Sequence, residues 1–288
     1  MIILVEFIFE TILVINFFVF NNLRRFLERD FMIRSYKCID NPQKPISYDI
    51  LLNPNKMADY ACGEKFISLP LLPMISLCLG VEFENGIKAN PIFEKIQDVI
   101  LEMDYEKEEY KAMVKAIEII DDKKTVIEMR GPLAILDNLL GIEKIMRAMR
   151  KNRENLNFLY NEFIEIYLEY IKKMQEMGIT IFSFAESILD IKLFGPREVG
   201  NYVDDFLLKF LKEIKLLQKE IPFTFHLCPK SSLILVDLEK AEFFPIEYES
   251  PKKYIDILYE NKTLLGDRCL NLADKKFKSV NKIILKEE

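Results

Sequence analysis

The stretch "MGITIFSFAESILDIKLFGPREVGNYV", residues 177–203, holds a helix end, a strand and a helix start in succession. Gly178 is the residue type that closes a helix in the left-handed conformation. The run "ITIFSFAE" (179–186) has the length and the Ile/Phe content of a buried strand. Pro196 suits the first position of a helix, where no amide hydrogen is needed. Upstream, Leu156, Leu159, Tyr160, Phe163, Ile164, Tyr167, Leu168, Ile171 and Met174 repeat at the three-four spacing of one buried helical stripe. Downstream, Val199, Tyr202, Val203, Phe206, Phe210, Leu211, Ile214 and Leu217 do the same. The order helix–strand–helix is the repeat of an α/β fold.

Other segments extend the repeat. "KFISLP" (65–70), "TVIEMR" (125–130), "FTFHLC" (223–228), "EFFPIEY" (242–248) and "TLLGDR" (263–268) read as further strands. Apolar strands followed by helices imply a parallel sheet covered on both faces. A (β/α)8 TIM-type barrel takes about 250 residues, which residues 32–288 just supply, with the last units abbreviated. An open doubly wound sheet is the second choice. No glycine-rich phosphate loop follows any strand, so a dinucleotide role gains no support.

The formal net charge of −6 argues against a nucleic-acid surface. Lysines alternate with glutamates in "KKMQEM" and "LKEIKLLQKE", as on solvated helix faces. Five cysteines without a framework spacing suggest a reducing cytoplasm, with Cys38, Cys62 and Cys78 as small buried hydrophobes. Residues 1–31 form an apolar extension before the main domain, 32–288. "MIILVEFIFETILVINFFVF" has a membrane span's length, but Glu6 and Glu10 interrupt it at roughly 2.5–3.5 kcal/mol each if central. A membrane anchor through residues 1–20, a docked amphipathic helix and a start assigned too early (Met32 being the alternative) are the readings; the last two are favoured.

The one histidine lies in "FHLCPKSS" (225–232), two places before Cys228. Side chains two apart on a strand share a face, so His226 and Cys228 reach one ion together. A catalytic zinc takes three protein ligands and leaves one position open. Cys269, in "GDRCLN" (266–271), follows another strand and is the candidate third ligand. On spacing alone, a zinc site and a packed histidine with two buried thiols both stay open.

Several stretches resemble the uroporphyrinogen decarboxylase superfamily, and within it the corrinoid-dependent methyltransferases of the methylcobamide:coenzyme M type. "YACGEKFISLPLLPMISLCLGVEFENG" (60–86), "MRGPLAILDNLLG" (129–141), residues 177–203 and "FHLCPKSS" occur in the family's order. The resemblance implies a zinc ion on His226, Cys228 and Cys269 that binds a small thiol substrate, and a methyl group delivered by a corrinoid protein. It gives Glu186, at the family's acidic position, the role of a proton acceptor or a partner to the zinc site. It gives Arg130 an anionic substrate group. A solvent-facing loop carboxylate and a surface ion pair are the plainer readings of those two residues.

Two rivals remain. A uroporphyrinogen decarboxylase of the same superfamily has an aspartate on the early strand, where "FISLP" has none, and needs no His-x-Cys. A non-catalytic barrel that binds a corrinoid protein is the other.

Overall fold

The computed structural model describes residues 48–63, 67–69, 74–84, 87–88 and 90–286. The expectations for residues 1–31 lie outside the described residues. Its strands are β1 (Ser68–Leu69), β2 (Phe83–Glu84), β3 (Ile87–Lys88), β4 (Val126–Arg130), β5 (Ile181–Ala185), β6 (Thr224–Leu227), β7 (Ala241–Lys253), β8 (Leu264–Leu265) and β9 (Lys276–Leu285). The helices before β4 are α1 (Tyr48–Leu51), α2 (Pro54–Cys62), α3 (Met74–Cys78) and α4 (Glu108–Ile120). After it come α5 (Pro132–Leu139), α6 (Ile142–Lys151), α7 (Arg153–Glu176), α8 (Ile191–Phe194) and α9 (Pro196–Tyr202). A π-helical turn, Val203–Leu207, joins α9 to α10 (Leu208–Glu220); α11 (Pro229–Asp237) and α12 (Tyr254–Asn261) follow.

The fold is α/β, built on a seven-stranded, mostly parallel sheet in the order β1-β4-β5-β6-β8-β9-β7. The first five strands are parallel neighbours in chain order. A doubly wound sheet reverses its order at a switch point; these five strands run one way without reversal. Among the described residues the sheet is open, with β1 and β7 at its edges.

Alternation decides what each face meets. Ile127, Met129, Phe182, Phe184, Phe225 and Leu227 are buried on one face. There Phe184 sits 5.2 Å from Phe210, 5.7 Å from Tyr167 and 6.2 Å from both Phe206 and Phe225, ring centre to ring centre. Phe210 is tilted and Tyr167 edge-on to Phe184, while Phe206 and Phe225 are stacked on it. The helix rings come from the two expected stripes, and every residue of both except the half-buried Leu168 is buried. At the end of α7 the Gly178 amide donates to the Gln175 carbonyl (2.9 Å), with Gly178 at φ +84°.

The other face carries Glu128, Ser183 and His226 side by side in register. Its lower half is covered by α12. Tyr254, Ile257 and Leu258 form a second, smaller core with Val126, Ile181 and Leu265. The Thr224 hydroxyl donates to the Leu258 carbonyl, and the Lys262 ammonium donates to the Thr180 hydroxyl at 2.7 Å.

"EFFPIEY" departs from expectation. It lies in β7, which pairs antiparallel with β9 from Ala241↔Leu285 to Lys253↔Lys276 as a ribbon at the edge of the sheet. Most of its side chains are half-buried or exposed. Glu242, Pro245 and Glu247 suit an edge strand and not a parallel strand buried on both faces. Among the described residues no helix is long and apolar enough to cross a membrane.

Phe184→Ala removes the ring at the centre of the main core. It is expected to cost about 3–5 kcal/mol, read as a fall in the urea midpoint at unchanged slope. A loss below about 1 kcal/mol would place the centre of the core elsewhere.

Candidate functional site

The three strands in the middle of the sheet end at the same level and hand the chain to turns that carry the candidate residues. Arg130 is the last residue of β4; Glu186 and Cys228 each directly follow a strand. Cys269 lies past β8 and opens the short 3-10 turn Leu270–Leu272.

Glu186 is 1% exposed, which overturns the solvent-facing reading. Its carboxylate accepts from the Leu133 amide (2.9 Å) and the Ala134 amide (3.1 Å) in the first turn of α5, and from the Tyr202 hydroxyl (3.2 Å). It therefore caps α5, whose first amides have no partner within the helix. The close approach depends on Gly131, since a Cβ there would stand 2.2 Å from Oε2. Burial pushes the Glu186 carboxyl up to about 7, against the pull of these bonds and of Lys230. The Lys230 ammonium donates to the Ser187 carbonyl at 3.0 Å.

Arg130 is no surface residue either. Burial lowers its pKa, and the charges of Glu128 and Glu186 oppose that. Its carbonyl accepts from the Tyr167 hydroxyl at 2.7 Å, which pins α7 to the end of β4. Its side chain lines a small pocket with Glu128, Met74, Ile75 and Tyr170. An anionic group meets Glu128 there as well as the guanidinium.

His226 and Cys228 lie at the end of β6, and Cys269 follows the Arg268 carbonyl that meets the His226 ring. His226 is 1% exposed and uses both ring nitrogens. Nε2 lies 2.8 Å from the Arg268 carbonyl, and Nδ1 lies 2.8 Å from the Ser183 hydroxyl. A carbonyl only accepts, so Nε2 carries the hydrogen and, in the neutral ring, Nδ1 accepts from Ser183. Burial lowers the His226 pKa to about 4, with the Arg268 bond opposing. The Tyr254 hydroxyl donates to the same carbonyl at 3.4 Å, and its ring lies 6.0 Å from the imidazole, edge-on. Burial raises the Tyr254 pKa; the charge of Asp267 adds to that and the charge of Arg268 opposes it. Cys228 is 6% exposed and Cys269 half-buried.

Sequence reasoning missed three members of this corner: Arg268 through its carbonyl, Tyr254, and Asp267. The Asp267 side chain is 8% exposed; Oδ2 accepts from Asn281 (2.9 Å), and the buried Oδ1 has no hydrogen-bond partner. An acid beside Cys269 in "GDRCLN" was the available signal.

One imidazole and two thiols are donors that zinc takes. Their positions are another matter. Among the described residues no three His, Cys, Asp or Glu side chains stand together so as to hold a metal ion. Both His226 nitrogens are engaged as well. The residues match zinc in kind and not in placement.

The two buried titratable groups predict opposite pH dependences. Glu186 is raised in the fold, from 4.5 to about 7. Its contribution to stability is complete below about 4.5 and is lost as pH rises through 7. His226 is lowered from 6.5 to about 4; its contribution is complete above about 6.5 and is lost as pH falls through 4. Urea unfolding from pH 5 to 8 should show Glu186→Gln gaining on the wild type as pH rises, by up to about 3 kcal/mol. A constant difference across that range would mean that Glu186 titrates as an exposed carboxylate.

The family model described as Uroporphyrinogen decarboxylase (URO-D) matches residues 66–267. No curated protein matches the chain, and no solved structure does. The matched span holds β4, β5, β6 and β8 with Arg130, Glu186, His226 and Cys228, and it ends just short of Cys269. The chain belongs to the uroporphyrinogen decarboxylase family.

Proposed function

We propose that this chain is a methyltransferase that moves a methyl group from a corrinoid, carried by a partner protein, to a small thiol. The observation that supports this reading most is that Cys228 follows β6 and that the turn carrying Cys269, past the neighbouring strand β8, is bonded to His226 through the Arg268 carbonyl. A decarboxylase would need no pair of thiols there. We read the five parallel strands as part of a (β/α)8 barrel, because a barrel adds its strands in chain order without reversal.

The reaction needs a thiolate, since a thiolate and not a thiol is the nucleophile. The incoming thiol gives up its proton, its sulfur pair attacks the methyl carbon, and the carbon–cobalt bond pair stays on the cobalt. Asp267 Oδ1, buried and without a hydrogen-bond partner, is the acceptor for that proton. His226 is a poor base in this role, because burial holds its pKa near 4 and Ser183 occupies Nδ1. Its part is to hold the Arg268 carbonyl, and with it the turn that carries Cys269. Arg130 would face an anionic group of the substrate, and Glu186 holds α5 in place beside it.

Methylcobalamin and a panel of small thiols test the reaction. Thioether formation should fall at least about 100-fold in Cys228→Ser with little change in urea stability. Turnover of uroporphyrinogen to coproporphyrinogen under anaerobic conditions, with no thioether formed, would replace this reading by the decarboxylase.

Zinc has a test of its own, because the chain has one histidine. Titration with zinc should leave the His226 ring nitrogen resonances where they are, since both nitrogens are already bonded. Uptake of one equivalent that moves those resonances would show that the corner rearranges to bind the metal.

A further inference from the structure

We propose that Cys228 and Cys269 form a reversible disulfide across the ends of β6 and β8, making this corner a site of modification by hydroperoxides. The inference concerns the two thiols and holds whichever reaction the site performs.

β6 and β8 are neighbouring parallel strands, paired at Phe225↔Leu264 and His226↔Leu265. Past β8 the chain turns in against the end of β6. A Cβ on Gly266 would stand 2.7 Å from the Leu227 carbonyl oxygen and 3.2 Å from the Ser232 Cβ. The Ser232 hydroxyl, in the first turn of α11, donates to the Gly266 carbonyl. Two residues on, the Arg268 carbonyl sits 2.8 Å from His226 Nε2, so Cys269 begins one peptide bond from the imidazole. Cys228 lies on the same side of β6 as His226, about 6.6 Å along the strand. Bridged cysteines have Cα atoms about 4.4–6.8 Å apart, and the link requires the 266–269 turn to bring Cys269 to that distance from Cys228.

Exposure sets the order of events. Cys269 is half-buried and meets the oxidant first, whereas Cys228 is nearly enclosed behind it. The Cys269 thiolate attacks the peroxide, the oxygen–oxygen bond breaks, and a sulfenic acid and one water (or alcohol) result. The Cys228 sulfur then attacks the sulfenic sulfur, forms the sulfur–sulfur bond and releases a second water. Two thiols have lost one electron each and the peroxide has gained two. A dithiol reductant reverses the change.

The test uses the full chain, purified reduced, exposed to one equivalent of hydrogen peroxide, alkylated and mapped as peptides without reduction. The expected result is a peptide pair joining Cys228 to Cys269 in the monomer, two hydrogen masses lighter than the separate peptides. It should disappear on reduction and in both Cys228→Ser and Cys269→Ser. The proposal is overturned if the two residues come out separately alkylated, or if Cys269 stops at the sulfinic acid. A link running instead to Cys38, Cys62 or Cys78, or one found only between chains, overturns it too. A protein that forms the link but shows no methyl transfer keeps this proposal and loses the preceding one.

Discussion

Three parallel strands carry Glu128, Ser183 and His226 at one level of a face that the fold encloses. A buried polar group without a partner costs about 1–3 kcal/mol, so this row dictates what is built around it. Ser68 on β1 bonds to Glu128, Ser183 bonds to His226, and the row ends at β8, whose residue at that level is Leu265. The remaining imidazole hydrogen has no side chain to meet, and the chain bends after β8 to bring it the Arg268 carbonyl. Cys269 arrives in the corner as a consequence of that bend. The site is thus the completion of a hydrogen-bond row, and its thiols are placed by the need to satisfy a histidine.

Glu186 answers a similar need one level higher and on the next turn. The start of α5 has amides to satisfy, and the carboxylate at the end of β5 satisfies two of them. Because Tyr202 donates to the same carboxylate, β5, α5 and α9 meet at one charge. Gly131 leaves the space for it. The cost is a carboxyl that is only partly ionised at neutral pH. Such a group sits at strand ends as catalytic acids do, yet its hydrogen bonds all serve to join secondary structure.

What was legible in the sequence was local. The stripes of α7 and of the α9–α10 helix follow from spacing, the helix end at Gly178 from a residue type, and β4, β5 and β6 from apolar runs. The position of Cys228 directly after a strand also followed from the end of an apolar run. The missing parts share a physical reason. The groups that set the site's geometry are the Arg268 carbonyl and the Leu133 and Ala134 amides, and main-chain groups are the same in every residue. Glu186 and Arg130 look like surface charges because nothing in their neighbours records a partner far along the chain. The β7 ribbon was misplaced for another reason: Glu242, Pro245 and Glu247 did signal an edge, but they were outweighed by the apolar residues between them.

The upper part of α7 lies beyond the sheet. Tyr167 meets the end of β4, and the helix begins at Arg153, about 20 Å further along its axis. That overhang is held to the neighbouring helix by the Arg153–Asp205 pair (2.7 and 2.8 Å) and by Tyr160 against Tyr202 and Phe206. The Tyr160 hydroxyl is buried there with no hydrogen-bond partner. Leu156, Leu159 and Phe163 seal this arm into the core, and the unsatisfied Tyr160 hydroxyl among them lowers the cost of opening it. Opening draws Tyr202 from Glu186 and admits water to a carboxyl that burial keeps near 7. Hydroxide therefore favours the open arm and protons the closed one, so that breathing at the mouth of the site is tied to the acidity of its surroundings.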